Sequence, residues 1–174
     1  MEALFACTRN TRPLLPDSLR FWRSDAPTTV SEAERRKRPC PLWGDPAFLC
    51  QSMPVTGGSA VPASPEEVAA SYIRMADERL EALADALLRA ETNVLYFCSA
   101  GKDRSGVLSA VLLYRLGYDR RFILDDYLLS GERLRAELEA YAAAHPEVDP
   151  RVIRPQRRYM ADFLDWYAAA HPRP

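Results

Sequence analysis

The sequence predicts an α/β fold with a central, mostly parallel sheet flanked by helices and a helical C-terminal half. Two observations carry this prediction. Residues 93–98 form a short apolar, β-prone run between two helical stretches, which is typical of a strand buried on both faces in a parallel sheet. From residue 64 onward, apolar residues recur at spacings of three and four, which indicates helices. Strands followed by helices are typical of a layered α/β architecture.

The composition is that of one globular domain. The chain has 174 residues, of which 48% are hydrophobic and 27% are charged, enough to bury a core. A formal net charge of −1 argues against a nucleic-acid-binding protein, which would be strongly basic. No apolar stretch has the roughly 18 residues that a membrane span needs, and no secretory signal is visible. We therefore predict a single cytoplasmic domain over residues 1–174 without stable membrane insertion, and the oligomeric state stays open.

The first part of this domain, residues 1–63, is irregular and rich in proline. Two short apolar patches in it, residues 19–22 and 47–55, are predicted to be short strands. The polar segment between the two patches is predicted to be a surface loop.

Helices dominate the remainder. Residues 64–89 are predicted to form one amphipathic helix that starts with a capping box at Ser64, and Tyr72 and Met75 on its apolar face are assigned to the core. A buried helix over residues 106–116 is predicted to stop at Gly117.

Three further helices are predicted at 119–130, 132–144 and 154–170. The last two end in the same hexapeptide, Tyr-Ala-Ala-Ala-His-Pro. Its histidines, His145 and His171, are predicted to cap these helices and not to act as catalytic groups.

The segment CSAGKDRSG, residues 98–106, has the features of a phosphate-binding loop. Cys98 ends the predicted strand and Arg104 begins the next helix. A loop of small residues that returns to a helix N-terminus points its backbone N–H groups inward, where the helix dipole also favours an anion. Gly101 can take conformations closed to other residues, and Arg104 can donate two parallel hydrogen bonds to phosphate oxygens. The predicted substrate-binding residues are Ser99, Ala100, Gly101, Lys102, Asp103, Arg104 and Ser105.

The same loop suits a nucleophilic cysteine. Inward N–H groups and the charges of Lys102 and Arg104 favour the thiolate of Cys98, which is a competent nucleophile toward phosphorus. The hydroxyl of Ser105 is predicted to hydrogen-bond the sulfur. A purely structural cysteine would not explain these neighbours. Because the loop itself supplies positive charge, no metal and no cofactor are expected. The predicted catalytic residues are Cys98, Arg104 and Asp103.

The loop resembles the signature loop of cysteine-dependent protein tyrosine phosphatases. Its AGKDRSG form is similar to bacterial tyrosine and dual-specificity phosphatases that also accept phosphoinositides, and residues 21–27, 34–42, 53–55 and 124–130 are similar to other segments of that family. The resemblance implies a tyrosine-phosphatase-like fold in a shortened member. It also implies hydrolysis of phosphotyrosine through a phosphocysteine, with phosphoserine, phosphothreonine and phosphoinositides as further substrate classes. The expected partner is thus a phosphorylated protein or a phosphoinositide.

Two departures from the family pattern affect the expected activity. Phe97 stands where family members usually have a histidine, and the helix and strand that end in Asp-Leu-Arg have no counterpart. An alternative function is therefore a phosphate- or phosphotyrosine-binding module of the same fold that is catalytically impaired. A thiol redox or sulfur-transfer enzyme is less favoured, because the sequence has no C-x-x-C pair.

The second departure leaves the general acid open, because the Asp-Leu-Arg aspartate is missing. Asp103 is the first choice for this role, and Asp25 and Asp45 are further candidates. Asp103 could instead be a structural carboxylate that pairs with Arg23 or Lys102, and both interpretations stay open.

Overall fold

The fold is that of a computed structural model. It describes residues 3–8, 22–23, 49–54, 61–90, 94–98 and 100–173, and in the first three of these segments it describes the backbone alone. Three predicted site residues, Ser99, Asp25 and Asp45, lie outside the described residues, as does the side chain of Arg23. The prediction of one domain over residues 1–174 stays a prediction.

Within the described residues, four strands form one sheet in the order β2-β3-β1-β4. The strands are β1 (Ala3–Thr8), β2 (Trp22–Arg23), β3 (Leu49–Pro54) and β4 (Val94–Phe97). Strand β1 lies between β3 and β4, and its Phe5 is opposite Ser52 on one side and Phe97 on the other. All three pairings are antiparallel. The predicted mostly parallel sheet is therefore not confirmed by the part of the chain that the structure describes.

Strand β4 occupies an edge of this sheet, and the predicted burial on both of its faces is wrong. Leu95 is 52% exposed, so the face of β4 that carries its side chain is open to solvent. A run of four apolar residues indicates a strand but carries no information about its direction or its place in the sheet. Strands β2 and β3 overlap the two predicted strands. Strand β1 is not among the predictions, because its Ala and Leu residues are not typical of strands.

The described part of the chain contains seven helices. They are α1 (Pro65–Met75), α2 (Glu78–Leu88), α3 (Arg104–Arg115), α4 (Arg120–Arg133), α5 (Arg135–Ala144), α6 (Pro150–Ile153) and α7 (Arg157–Ala170). The predicted helices at 106–116, 119–130, 132–144 and 154–170 are confirmed with small shifts at their ends. His145 and His171 are the C-cap residues of α5 and α7, as predicted.

The prediction of a single helix over residues 64–89 is wrong, because the helix is interrupted between α1 and α2. Asp77 is the N-cap of α2, and its Oδ1 accepts hydrogen bonds from the backbone N–H groups of Arg79 and Leu80, both at 3.0 Å. An aspartate that caps the second helix satisfies donors that would otherwise lack partners. Apolar periodicity continues across the break and therefore conceals it.

Helix α3, which follows the predicted phosphate loop, is the central helix. It contacts α1, α2, α4 and strand β4. Its start fits closely against α4, since a Cβ on Gly106 would lie 3.3 Å from Cδ2 of Tyr127. The largest fully buried side chains around it are Tyr72, Tyr159, Tyr167, Phe163, Met75, Leu80, Leu83, Leu108, Ile123, Met160 and Val68. Among the described helices, none is both long and apolar enough to cross a membrane.

Candidate active site

The structure brings Cys98 and Arg104 to opposite ends of one short loop. Cys98 directly follows β4 and is 8% exposed, and Arg104 begins α3 and is equally buried. Between them Gly101 has a φ of +72°, a left-handed conformation that favours glycine. The first turn of α3 is closed by the backbone N–H of Val107, which donates to the carbonyl of Asp103 at 2.8 Å. A loop that runs from a strand into a helix N-terminus has the form of an anion-binding site.

A hydrogen bond of Lys102 connects the loop to the helical part of the molecule. Its side chain is almost fully buried, and its Nζ donates to the carbonyl of Ile153, the last residue of α6, at 2.7 Å. The same Nζ lies 3.2 Å from Oδ1 of Asp103. The ion pair between Lys102 and Asp103, one of the two sequence-based alternatives, is therefore present. The ammonium group of Lys102 is thus hydrogen-bonded and ion-paired within the protein.

Asp103 has a second partner that sequence reasoning missed. The hydroxyl of Tyr72 donates to Oδ1 of Asp103 at 2.7 Å, and it is also hydrogen-bonded to the hydroxyl of Tyr127 at 2.8 Å. Burial raises the pKa of both tyrosines above its usual value, so both hydroxyls stay protonated. The assignment of Tyr72 to the core is correct but incomplete. A tyrosine on a fully buried helix face is itself a signal, since its hydroxyl needs a partner.

Ser105 is buried at the start of α3, and its Oγ has no hydrogen-bond partner in the described part of the chain. The predicted hydrogen bond to the Cys98 sulfur is thus not formed. A buried hydroxyl without a partner costs free energy. Ala100 and Gly101, in contrast, are exposed at the outside of the loop.

Comparison with known proteins adds the family. The model of the tyrosine phosphatase family matches residues 31–172, most of the chain. The chain belongs to the tyrosine phosphatase family. This confirms the family that the loop motif indicates, and the match extends well beyond the loop on both sides.

Two curated relatives of this tyrosine phosphatase family member match a shorter stretch. One is a Cupriavidus necator protein named as a tyrosine-protein phosphatase, 37% identical over 75 residues that cover 41% of this chain and 27% of the relative. The other is the triple specificity protein phosphatase PtpB of Mycobacterium tuberculosis, 36% identical over 81 residues that cover 44% of this chain and 29% of the relative. The chain thus matches less than a third of the length of either relative. No solved structure matches it.

Beside the loop of this family member lies a cavity of about 400 Å³. The loop contributes Ala100, Gly101 and Lys102 to its lining, and α4 contributes Asp126 and Arg133 among others. The lining therefore carries charges of both signs. Sequence reasoning did not identify the α4 residues as part of the site, because the proximity of α4 to the loop is a property of helix packing.

Proposed function

We propose that this chain is a metal-independent phosphatase that hydrolyses phosphotyrosine monoesters through a phosphocysteine intermediate on Cys98. The observation that carries the proposal is the pair of buried groups, Cys98 and Arg104, at the two ends of a loop that runs into α3. Membership of the tyrosine phosphatase family supports the same reaction class. A thiolate and a guanidinium on one anion-binding loop are the two groups that phosphoryl transfer to sulfur needs.

In the first step the sulfur of Cys98 attacks phosphorus in line. The S–P bond forms while the bond from phosphorus to the leaving oxygen breaks, and Arg104 and the loop N–H groups stabilise the charge on the remaining oxygens. The leaving oxygen takes a proton from the general acid and departs as the phenol of tyrosine. In the second step water attacks phosphorus and gives one proton to the carboxylate of that acid, the S–P bond breaks, and inorganic phosphate and the Cys98 thiolate are released. We propose that the hydroxyl of Ser105, which has no hydrogen-bond partner among the described residues, stabilises the thiolate as it leaves.

We assign the general acid to Asp103. Its Oδ1 is occupied by Tyr72 and Lys102, so a proton on this carboxyl group would be carried by the other oxygen, Oδ2. A general acid matters most when the leaving group is a poor one. Asp103→Asn should therefore lose far more activity on an alkyl phosphate than on p-nitrophenyl phosphate. Equal losses on both would contradict the acid role and return it to Asp25 and Asp45.

Phosphotyrosine is the first substrate class to test, and phosphoserine, phosphothreonine and phosphoinositides follow. The name of the Mycobacterium tuberculosis relative, a triple specificity protein phosphatase, supports testing more than one class. The cavity beside the loop gives the esterified group a place to bind. We place the reaction in the cytoplasm, because a nucleophilic thiol such as Cys98 needs a reducing compartment to stay reduced.

The decisive experiment is phosphate release from p-nitrophenyl phosphate with a chelator present and Cys98→Ser alongside. Activity in the unchanged protein that disappears in Cys98→Ser would support the proposal. Activity that survives in Cys98→Ser would contradict it. A folded protein that binds a phosphotyrosine peptide but releases no phosphate would instead be the phosphate-binding module, the alternative that Phe97 and the missing Asp-Leu-Arg segment motivate.

A further inference from the structure

We propose that Tyr72 and Tyr127, together termed the tyrosine relay, are positioning residues that hold the Asp103 carboxylate of the phosphate loop. The inference rests on the proposed phosphatase reaction, because the relay acts on that reaction through Asp103. Neither tyrosine lies in the loop. Tyr72 is on α1 and Tyr127 is on α4, so two separate helices converge on one loop carboxylate.

The hydrogen bonds of the relay run in one direction. Tyr72 has a single hydroxyl hydrogen, and Oδ1 of Asp103 at 2.7 Å takes it. At the 2.8 Å contact between the two hydroxyls, Tyr127 must therefore be the donor and Tyr72 the acceptor. The relay thus runs from Tyr127 on α4 through Tyr72 on α1 to Asp103 in the loop.

The relay keeps this direction because neither phenol readily ionises. Both rings are buried, and burial raises the pKa of each hydroxyl well above its usual value. The rings also meet edge to face, with centroids 6.1 Å apart and planes at 80°, which fixes both hydroxyls in place. Asp103 therefore accepts a hydrogen bond from a hydroxyl group, that of Tyr72, which keeps its proton.

The effect on Asp103 is to fix which oxygen is free. Its side chain is 36% exposed, and an aspartate at such a place could otherwise rotate between several orientations. Tyr72 and Lys102 approach the same oxygen, Oδ1, from the protein side. Oδ2 is consequently the oxygen left to interact with a substrate. Two fixed donors to one oxygen thus give the carboxyl group one orientation relative to the loop.

A double-mutant cycle tests whether Tyr72 acts through Asp103. We expect Tyr72→Phe to lower kcat/KM for an alkyl phosphate, whose poor leaving group needs the general acid, about tenfold, which is the size of effect expected for a lost hydrogen bond to a charged group. In an Asp103→Ala background the same change should cost less than about twofold, because the residue it positions is gone. Tyr127→Phe should have a smaller effect than Tyr72→Phe, because it lies one hydrogen bond further away. Equal losses from Tyr72→Phe in both backgrounds, or no loss in the unchanged protein, would overturn the inference.

Tyr167→Phe is the matched control. Tyr167 is as fully buried as Tyr72, and its hydroxyl also donates to a carboxylate, that of Glu81, but beside Arg115 at the far end of α3. We expect it to lower the melting temperature to a similar degree and to leave kcat/KM within about twofold. A loss of activity as large as that of Tyr72→Phe would show that general destabilisation explains both, and would overturn the inference.

A second readout separates the inference from the proposed function. The affinity for inorganic phosphate, measured by calorimetry with Cys98→Ser as the background, should fall on Tyr72→Phe and stay unchanged on Tyr167→Phe. If the enzyme is active but the effects of Tyr72→Phe and Asp103→Ala are additive, the relay is refuted and the phosphatase proposal is not. A folded protein that neither releases nor binds phosphate refutes the phosphatase proposal and the relay together. A protein that binds phosphate without hydrolysing a phosphate ester refutes the phosphatase proposal. The relay is then tested by comparing the phosphate affinities of the Tyr72→Phe and Tyr167→Phe variants.

Discussion

Gly101 offers the sharpest test of whether the loop conformation itself is needed for activity. It has a φ of +72°, and no heavy atom of the described residues lies within 4 Å of the position that a Cβ would take. Gly101→Ala would therefore cause no steric clash with these residues. Its cost would come from the backbone alone, because an L-residue in the left-handed region brings its Cβ close to its own carbonyl oxygen.

The magnitude follows from two opposing effects. The left-handed conformation costs an alanine about 1–2 kcal/mol. The unfolded chain with alanine is less flexible than the one with glycine, which returns about 0.4–1 kcal/mol. Gly101→Ala should thus lower the free energy of unfolding by about 1 kcal/mol. The loss of activity should be larger, at least about tenfold in kcat/KM, because a loop that relaxes to negative φ turns N–H groups away from the phosphate.

Gly117 provides a control with nearly the same backbone. It follows the last turn of α3 with a φ of +87°, and in the described part of the chain it too has no heavy atom within 4 Å of the position of a Cβ. Gly117→Ala should lower the free energy of unfolding in urea by a similar amount and leave kcat/KM for p-nitrophenyl phosphate unchanged. If Gly101→Ala shows the same loss of stability but full activity, the positive φ is not a requirement of the site and the reasoning is wrong.

Three further predictions concern single groups around the loop. Lys102→Met should lower the free energy of unfolding in urea by about 2 kcal/mol, because it removes a buried hydrogen bond and a partly exposed ion pair. Arg121→Met removes only an exposed ion pair and should leave the free energy of unfolding almost unchanged. Equal effects of the two substitutions would contradict the prediction. Arg104→Lys should lower kcat/KM about a hundredfold through loss of the two parallel donors, and full activity would show that charge alone suffices. Because burial raises the pKa of Tyr72 and Tyr127, unfolded tyrosines release protons above about pH 10 that the folded protein keeps. The free energy of unfolding should be at its full value below that pH and fall above it, and denaturation across this range with no decline would contradict the assignment.

The helical half of the fold was predictable from the sequence because local signals determine it. Pro65 begins α1 directly after Ser64, and Gly117 at φ +87° follows the end of α3 where the sequence predicts a stop. Asp77 is the exception, since a cap inside a continuous apolar pattern is masked by that pattern. The sheet was less predictable. Whether β4 pairs parallel or antiparallel depends on β1, about 90 residues away in the sequence, and no feature of Val94–Phe97 encodes that partner.

In the candidate site, too, local sequence signals predict some features and not others. Cys98 and Arg104 could be identified from one contiguous segment, because their spacing and the small residues between them are those that binding of a phosphate requires. The partners of Asp103 could not. Tyr72 is 31 residues away in the sequence, and its side chain meets Asp103 only because α1 packs against α3. The sequence does contain the relevant signal, a tyrosine on a buried stripe, but it does not say which polar group its hydroxyl reaches.

The contacts that hold the loop bear on the departures from the family pattern. Lys102 is fastened to Ile153 on α6, Asp103 is fastened to Tyr72 on α1, and Arg104 starts the central helix. All of these anchors belong to the helical half of the chain. The segment that has no counterpart of the Asp-Leu-Arg elements precedes residue 34, so its loss removes none of these anchors. Phe97 is different, because it precedes the nucleophile directly. Among the described residues, Phe97 is therefore the departure that can act on the loop directly, and it does so at the strand end of the loop.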